Sequence, residues 1–564
     1  MERTGGEALA QQLALEGVSD LFGVPGVQLD WATDALRREA DRIRFVVPRH
    51  EQAASYMADG YARGTGCVGV CMVVPGPGLL NAMAGLATAY ACNSPVLALV
   101  GDIPSPCLGK GLGLLHEVRD QGAILGAVTK WRARATRPEE IPALVREAVR
   151  QARAGRPRPV GLEIPPDVLA ARAEMELVPP PENSDDGRTC PDPAQASVAA
   201  ALLAGAHFPV VYVGGGVLAS AGASEALRAV AERLQAPVVM GENGRGALPD
   251  GHPLALNTLG GRAVFEHADA VLVAGSRFVD TTNGAPAWPT ERVARWAWVN
   301  ADPDAWAPPR RADAPVLADA RLGLEAIAAA LPPAERAPRG PALDRVRAWA
   351  EAQAASALAP QMGWIAALRA AIPDDGVLVG ELTQVGYAAR FAYPVRAPGT
   401  FLGPGYQGTL GYGFPTALGV AAGNPGRAVV SITGDGGFGW AMQELATARK
   451  YGLKVATVVF SDGRFGNVDL LQNRQFGAAY GTELANPRLD RLAEAFGVAH
   501  ARAETPDALR DVLSRALAAG EGPLLVDVPV GDMPSPWPLM RLTPPPFAAG
   551  AAPPPNPLGP PQGA

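Results

Sequence analysis

The segment Ser431-Ile432-Thr433-Gly434-Asp435-Gly436-Gly437-Phe438 runs from an apolar stretch into a Gly-Asp-Gly turn, and a helical pattern follows from Met442 to Ala448. A carboxylate at the carboxyl end of a parallel strand, beside glycines that let a backbone approach closely, can hold a hard divalent cation against a diphosphate. The same tripeptide taken alone is more often a plain tight turn. A second apolar run, Val458-Val459-Phe460-Ser461, ends at Asp462-Gly463-Arg464 and places another oxygen ligand 27 residues after Asp435. Far upstream, Pro48-Arg49-His50-Glu51 leads into Gln52-Ala53-Ala54-Ser55-Tyr56, which puts Glu51 in the first turn of a helix. An acid there is favoured by the helix macrodipole, whatever else it does.

Such residues work only if strands and helices bring them together. The first section alternates a helix near Glu7 to Glu16, a strand over Cys67 to Val74, a helix near Leu79 to Tyr90 and a strand over Pro95 to Val100, and closes on the apolar Pro159 to Pro165. That rhythm predicts a doubly wound α/β unit with a mainly parallel sheet. Val178 to Pro193, rich in Pro, Asp and Glu, reads as a linker. Strand candidates at Pro209 to Val213, Pro237 to Met240, Ala270 to Ala274 and Trp296 to Asn300 predict a second α/β unit, ended by the prolines of Leu331 to Pro341. A third follows, with strands expected at Val377 to Gly380, Ala428 to Thr433, Val455 to Phe460 and Leu524 to Val528. The expected domains are therefore 1–177, 192–331 and 343–540. Residues 541–564, rich in Pro, Gly and Ala, are an extended or disordered tail unable to form a core of their own.

Composition agrees with several intracellular α/β domains. The 564 residues exceed what one core usually organises. Lys+Arg 49 against Asp+Glu 56 leaves a net charge of -7, which gives no reason to expect a nucleic-acid or acidic-membrane partner. Cys67, Cys71, Cys92, Cys107 and Cys190 lack zinc-site spacing and disulfide density, and the N-terminus carries acids where a secretory signal needs bases. A cytoplasmic location is expected. The uncharged stretch from Gly64 to Gly101 is broken by Pro75-Gly76-Pro77-Gly78 and Pro95, so buried strands suit it better than a membrane span.

From Gly5 to Val530 the chain resembles the thiamine-diphosphate enzymes of the acetolactate synthase and benzoylformate decarboxylase group. In that family Gly-Asp-Gly and a downstream Asn-Asn pair bracket the cofactor's diphosphate and Mg²⁺. The resemblance makes Asp435 one ligand, the side chain of Asp462 a second and the backbone carbonyl of Arg464 a third, with Gly434, Gly436 and Gly437 beside the diphosphate. Asp462 stands where Asn is commonest, and both supply a side-chain oxygen. The string from Pro48 to Arg63 is similar to the cofactor-activating segment, whose glutamate hydrogen-bonds the pyrimidine nitrogen; Glu51 takes that role and His50 buttresses the turn. Pro75-Gly76-Pro77-Gly78-Leu79-Leu80-Asn81 resembles the adjoining glycine-rich turn, which assigns Pro75, Gly76 and Asn81 to the cofactor. Gly408 to Pro415 resembles the segment that holds the aminopyrimidine, with Leu410 propping the cofactor into a bent shape. Thr383 and Gln384 fall where the family contacts the diphosphate.

Gly109 to Gln121 aligns with a loop that carries Phe-Gln-Glu near the reacting carbon in acetolactate synthases. Leu115 and His116 replace Phe and Gln, which implies a changed substrate pocket. His116 is either a proton donor and acceptor, given an unperturbed pKa of about 6.5, or a structural residue. The middle section resembles the acetolactate synthase FAD domain through Gly214-Gly215-Gly216, Gly275-Ser276-Arg277-Phe278 and Asn300-Ala301-Asp302, although similar domains occur without a nucleotide. The resemblance implies a homodimer or homotetramer acting on a 2-oxo acid or dicarbonyl, as a lyase or carboligase. A diketone hydrolase or FAD-linked oxidase is the alternative, and a non-catalytic binding protein fits least, because Glu51 and the carboxylate pair are all present.

Overall fold

The computed structural model describes residues 1–181, 187–333, 335–520, 522–548 and 552–560. Three six-stranded sheets, parallel throughout, carry the chain, with helices on their faces. The first sheet runs Arg44–Val46, Asp20–Gly23, Gly69–Val73, Val96–Gly101, Val160–Ile164, Trp131–Arg134 from edge to edge. The third runs Phe401–Leu402, Val377–Gly380, Val429–Gly434, Val455–Ser461, Leu524–Pro529, Ala499–Arg502. Numbered within each unit, both have the order 2-1-3-4-6-5. The middle sheet, Ala255–Leu256, Val238–Met240, Pro209–Val213, Ala270–Ala274, Arg295–Asn300, Ala314–Leu317, has the order 3-2-1-4-5-6. The three expected α/β units with mainly parallel sheets are therefore present.

Strand order says where ligands belong. In open α/β sheets they bind beyond the carboxyl ends of the strands at the point where the order reverses. In the third sheet that point lies between Val377–Gly380 and Val429–Gly434, just before Thr383 and Gly434. In the middle sheet it lies between Pro209–Val213 and Ala270–Ala274, just before Gly214 and Gly275.

Six helices position the site. They are α1 (Glu51–Thr65), α2 (Pro77–Cys92), α3 (Gln384–Ala392), α4 (Gly413–Gly423), α5 (Leu445–Tyr451) and α6 (Gly466–Phe476). Helices α1 and α4 carry small residues where they meet. A Cβ on Gly60 would stand 2.0 Å from the Thr416 carbonyl oxygen, and one on Gly419 would stand 2.0 Å from that of Met57. Their backbones therefore touch, and Tyr56, Met57 and Tyr61 share one core with Tyr412, Phe414 and Leu418. The first and third units are joined through this core.

The interior strands expected from the sequence are present within a residue or two, and Asp20–Gly23 is an interior strand the apolar pattern missed. All six edge strands of the three sheets were also missed. An edge strand has one neighbour and an exposed side, so Trp131–Arg134 and Ala499–Arg502 carry arginines that break the apolar run. The tail needs a correction. Leu542 is buried in the core of the middle unit, Arg262 donates to the carbonyls of Pro538 and Arg541, and Asn556 donates to the Ala263 carbonyl and to Glu266. The described part of the tail, with a 3-10 turn at Pro546–Ala548, is packed and not disordered, because an apolar side chain can join a neighbour's core without forming one. Positions 182–186 of the expected first linker, 334 of the second, and 549–551 and 561–564 of the tail lie outside the described residues. Among the described residues no helix is long and apolar enough to cross a membrane.

Candidate active site

Asp435 follows the strand Val429–Gly434 directly, and Asp462 follows Val455–Ser461, its neighbour in the sheet. Asp435 Oδ2 accepts from the Gly463 N–H at 2.8 Å and from Asn486 Nδ2 at 2.7 Å, and Oδ1 accepts from the Gly436 N–H at 3.0 Å. Asp462 Oδ1 accepts from the Arg464 N–H at 3.3 Å, which wraps the 462–464 turn around its own carboxylate. Burial raises the pKa of Asp435. Burial, and then the neighbouring charge of Asp435, push Asp462 up to about 6. Two hard oxygen donors that repel one another at strand ends suit a cation such as Mg²⁺. Among the described residues no third His, Cys, Asp or Glu joins them, so backbone and ligand oxygens would complete the shell. The Arg464 side chain turns to Asp532, and to Asp469 at 3.6 Å.

Thr383 caps α3, its hydroxyl accepting from the Val385 N–H at 3.2 Å, and its Cβ lies 3.9 Å from where Gly434 would carry one. Gln384 Oε1 is buried without a partner. At Gly437 a Cβ would stand 2.2 Å from Glu381 Oε1, and at Gly436 it would stand 2.8 Å from the Phe465 ring, so neither position admits a side chain without movement. Gly408 has φ of +57° and faces Leu382.

The turn from Gly408 to Gly413 is anchored from both units. Glu381, fully buried, accepts from the Gly411 N–H at 2.7 Å, the Gly413 N–H at 2.8 Å and Thr433 Oγ1 at 2.9 Å. Burial raises its pKa, and these donors act against that. From the first unit, Tyr56 OH donates to Thr409 Oγ1 at 2.7 Å, and Thr88 Oγ1 lies 3.0 Å from the same oxygen. Leu410 is thus presented by a fixed backbone, only partly buried, which a leucine serving only the core would not be.

On the first unit, Glu51 opens α1 and its Oε2 accepts from Asn81 Nδ2 at 3.0 Å. His50 caps the same helix, its Nδ1 accepting from the Gln52 N–H at 3.1 Å. Gly76, with φ of +56°, donates its N–H to Gln121 Oε1 at 3.0 Å, and a Cβ there would lie 2.4 Å from the His116 carbonyl oxygen. Pro75 precedes it, with its ring close to Gly101. His116 has φ of +69°, rare for a side-chain-bearing residue, and its Nδ1 is buried without a partner. Leu115 beside it is exposed.

The expected residues therefore fall into two groups. Glu51, Pro75, Gly76, Asn81 and His116 gather on the first unit; Thr383, Gln384, Gly408, Leu410, Gly434, Asp435, Gly436, Gly437, Asp462 and Arg464 gather on the third. The contact between α1 and α4 links them. Gln52 Nε2 lies 3.6 Å from where a Gly411 Cβ would be, and Tyr56 holds Thr409. Two contributors were missed from the sequence. Glu381 follows an apolar strand, the same signature that exposed Asp435, whereas Asn486 has no local signal because its partner lies 51 residues away.

A cavity of about 1030 Å³ opens at the carboxyl ends of the middle sheet, lined by Gly214, Gly216, Gly275, Arg277, Asn300 and Arg156, and reaches Leu382 and Gly408. No finding assigns FAD to it.

Three family descriptions match the chain: Thiamine pyrophosphate enzyme, N-terminal TPP binding domain over residues 3–124, central domain over 196–327, and C-terminal TPP binding domain over 380–528. Among curated proteins, a probable acetolactate synthase large subunit of Methanocaldococcus jannaschii is 34% identical over 96% of this chain and 94% of its own length. A probable 2-ketoarginine decarboxylase AruI of Pseudomonas aeruginosa is 36% identical over 92% of each chain. The acetolactate synthase isozyme 3 large subunit of Escherichia coli is 33% identical over 93% of this chain and 94% of its own. With the carboxylates, glycine turns and cross-unit contacts found where strand order calls for a ligand, the chain belongs to the thiamine pyrophosphate enzyme family.

Proposed function

We propose that this protein is a thiamine-diphosphate-dependent lyase or carboligase that breaks or makes the carbon–carbon bond next to the carbonyl of a 2-oxo acid. The observation that carries this reading is Glu51, a carboxylate held by Asn81 at the start of a helix packed on the segment that presents Leu410. The relatives named as acetolactate synthases and as a 2-ketoarginine decarboxylase support the substrate class. When bound, the cofactor supplies a nucleophilic carbon and an electron sink for the bond that changes. The protein's own part is to position and to move protons. Glu51 shares a proton with the pyrimidine nitrogen, and Asn81 fixes the carboxylate for that exchange. Leu410 would lie against the bound cofactor as its prop. Asp435, Asp462 and the Arg464 carbonyl hold Mg²⁺, while Thr383, Gln384, Gly408, Gly434, Gly436 and Gly437 line the diphosphate. His116, whose carbonyl lies beside Gly76 and whose Nδ1 has no partner, serves as proton donor or acceptor toward the substrate.

The domains proposed are 1–177, 192–331 and 343–540, and the location proposed is cytoplasmic. A homodimer or homotetramer is proposed as well, supported by α6, which has no buried residue, and by exposed Trp440, Phe476 and Tyr480 nearby. The alternative is an FAD-linked oxidase or a diketone hydrolase. A carboxylic acid product, in place of an aldehyde or a ligated hydroxyketone, would favour it.

Glu51→Gln keeps size and hydrogen bonding but cannot exchange the proton. The variant should fold and bind Mg²⁺ and thiamine diphosphate, yet exchange the cofactor's C2 proton for deuterium roughly 100-fold or more slowly, the scale of general acid–base effects. Exchange at the parental rate, measured by quenched-flow NMR, would remove Glu51 from the mechanism. A panel of 2-oxo acids and diketones with product analysis then separates the substrate classes.

A further inference from the structure

The stretch from Val47 to His50 leads from the edge strand Arg44–Val46 into α1 and has few partners of its own. Pro48 has no N–H, and the His50 ring is occupied with the Gln52 N–H. The N–H groups of Val47 and Arg49 precede the helix and follow the sheet, so neither ladder satisfies them. The third unit does. Glu444, fully buried, accepts from the Arg49 N–H through both oxygens, at 3.1 and 3.0 Å. Thr447 Oγ1 donates to the same carboxylate at 2.5 Å. One helical turn further on, Tyr451 OH accepts from the Val47 N–H at 2.8 Å and lies 3.4 Å from the Phe45 carbonyl.

Burying a carboxylate is costly unless hydrogen bonds replace its water. Here every bond named goes to backbone immediately before Glu51 or to a side chain that steadies the acceptor. Glu444 and Tyr451 belong to the turn Met442–Glu444 and to α5, which follow the Asp435–Phe438 turn directly.

We propose that Glu444 is a positioning residue for Glu51. By fixing the Arg49 N–H from the far side of the contact between units, two residues before Glu51, it sets where the Glu51 carboxylate stands, and so ties its placement to the helix that follows the Gly-Asp-Gly turn. This rests on the reading of Glu51 given above.

Glu444→Gln preserves shape, but its amide NH₂ sets a donor against the Arg49 N–H. Two measurements follow. In the cofactor-free protein, hydrogen–deuterium exchange over residues 47–56 should rise in the variant while the sheets stay protected. In the protein loaded with thiamine diphosphate and Mg²⁺, C2-proton exchange should slow roughly 10- to 100-fold, the scale on which small misplacements of a catalytic group act, with cofactor affinity and melting temperature near the parent's. Parental C2 exchange overturns the proposal. So does a joint fall in melting temperature, affinity and exchange, which marks a merely structural role. Tyr451→Phe loses only the Val47 anchor and should give the same two changes in smaller measure; if Glu444→Gln does not fold, Tyr451→Phe decides by the same criteria. Glu51→Gln separates the two failures. If it too exchanges at the parental rate, the reading of Glu51 falls; if it is slow while Glu444→Gln is not, the positioning role alone falls.

Discussion

Asp435 and Asp462 stand at neighbouring strand ends, where burial raises the pKa of both and the neighbouring charge of Asp435 helps push Asp462 up to about 6. A cation between them and a diphosphate relieves that repulsion. Asp435→Asn should therefore weaken thiamine diphosphate binding in Mg²⁺ buffer by at least roughly tenfold, since even an outer partner of a metal ligand is worth 10- to 100-fold. Asp462→Asn keeps an oxygen donor and should be tolerated. Calorimetric titration checks both, and an unchanged affinity for Asp435→Asn would count against the metal site. The side chains proposed to govern substrate choice are different ones. Leu115 is exposed and His116 keeps an unpartnered nitrogen, so converting them to Phe and Gln should redistribute activity among 2-oxo acids without changing cofactor affinity. Loss of the cofactor in that double variant would give the loop a structural role instead.

At the scale of elements, the contact between α1 and α4 does the aligning. Glycine at Gly60 and Gly419 lets two backbones touch where any Cβ would collide with a carbonyl oxygen. Gly60→Ala or Gly419→Ala should push the helices apart and cost about 1–3 kcal/mol, the range for overpacked cores. A thermal melt measures the loss, and an unaltered melting temperature would mean that the interface can shift freely. The proposed catalytic groups lie at the ends of these helices, with Glu51 at the start of α1 and the turn of Leu410 just before α4. A small shift between them therefore displaces catalytic groups as well as weakening the fold.

At the scale of the molecule, the tail binds the middle unit to the end of the third. Leu542 enters the middle core, and Arg541 pairs with Asp280 at 2.8 Å. Leu542→Ala should destabilise by about 2–5 kcal/mol if the site cannot collapse around the gap, and should raise hydrogen exchange across Thr258–Phe265, against which the leucine packs. No change in exchange there would show that the tail is dispensable to the middle unit.

The sequence by itself determined the three α/β units, because strands buried on both faces must be apolar throughout and betray themselves without any partner being known. It also marked Asp435, Asp462 and Glu51, since a carboxylate just after an apolar strand or at a helix start is a local pattern, and the family resemblance gave that pattern its chemistry. Edge strands escaped because one exposed side tolerates arginine. Tertiary structure alone decided that Glu381 braces the turn before α4, that Asn486 holds Asp435, and that Tyr56 and Glu444 reach across the units. Those bonds join residues 30 to 395 positions apart, and their partners are backbone N–H groups or common side chains that carry no local signature. Charge and hydropathy reveal which groups must be satisfied; only the folded chain assigns the partner that satisfies them.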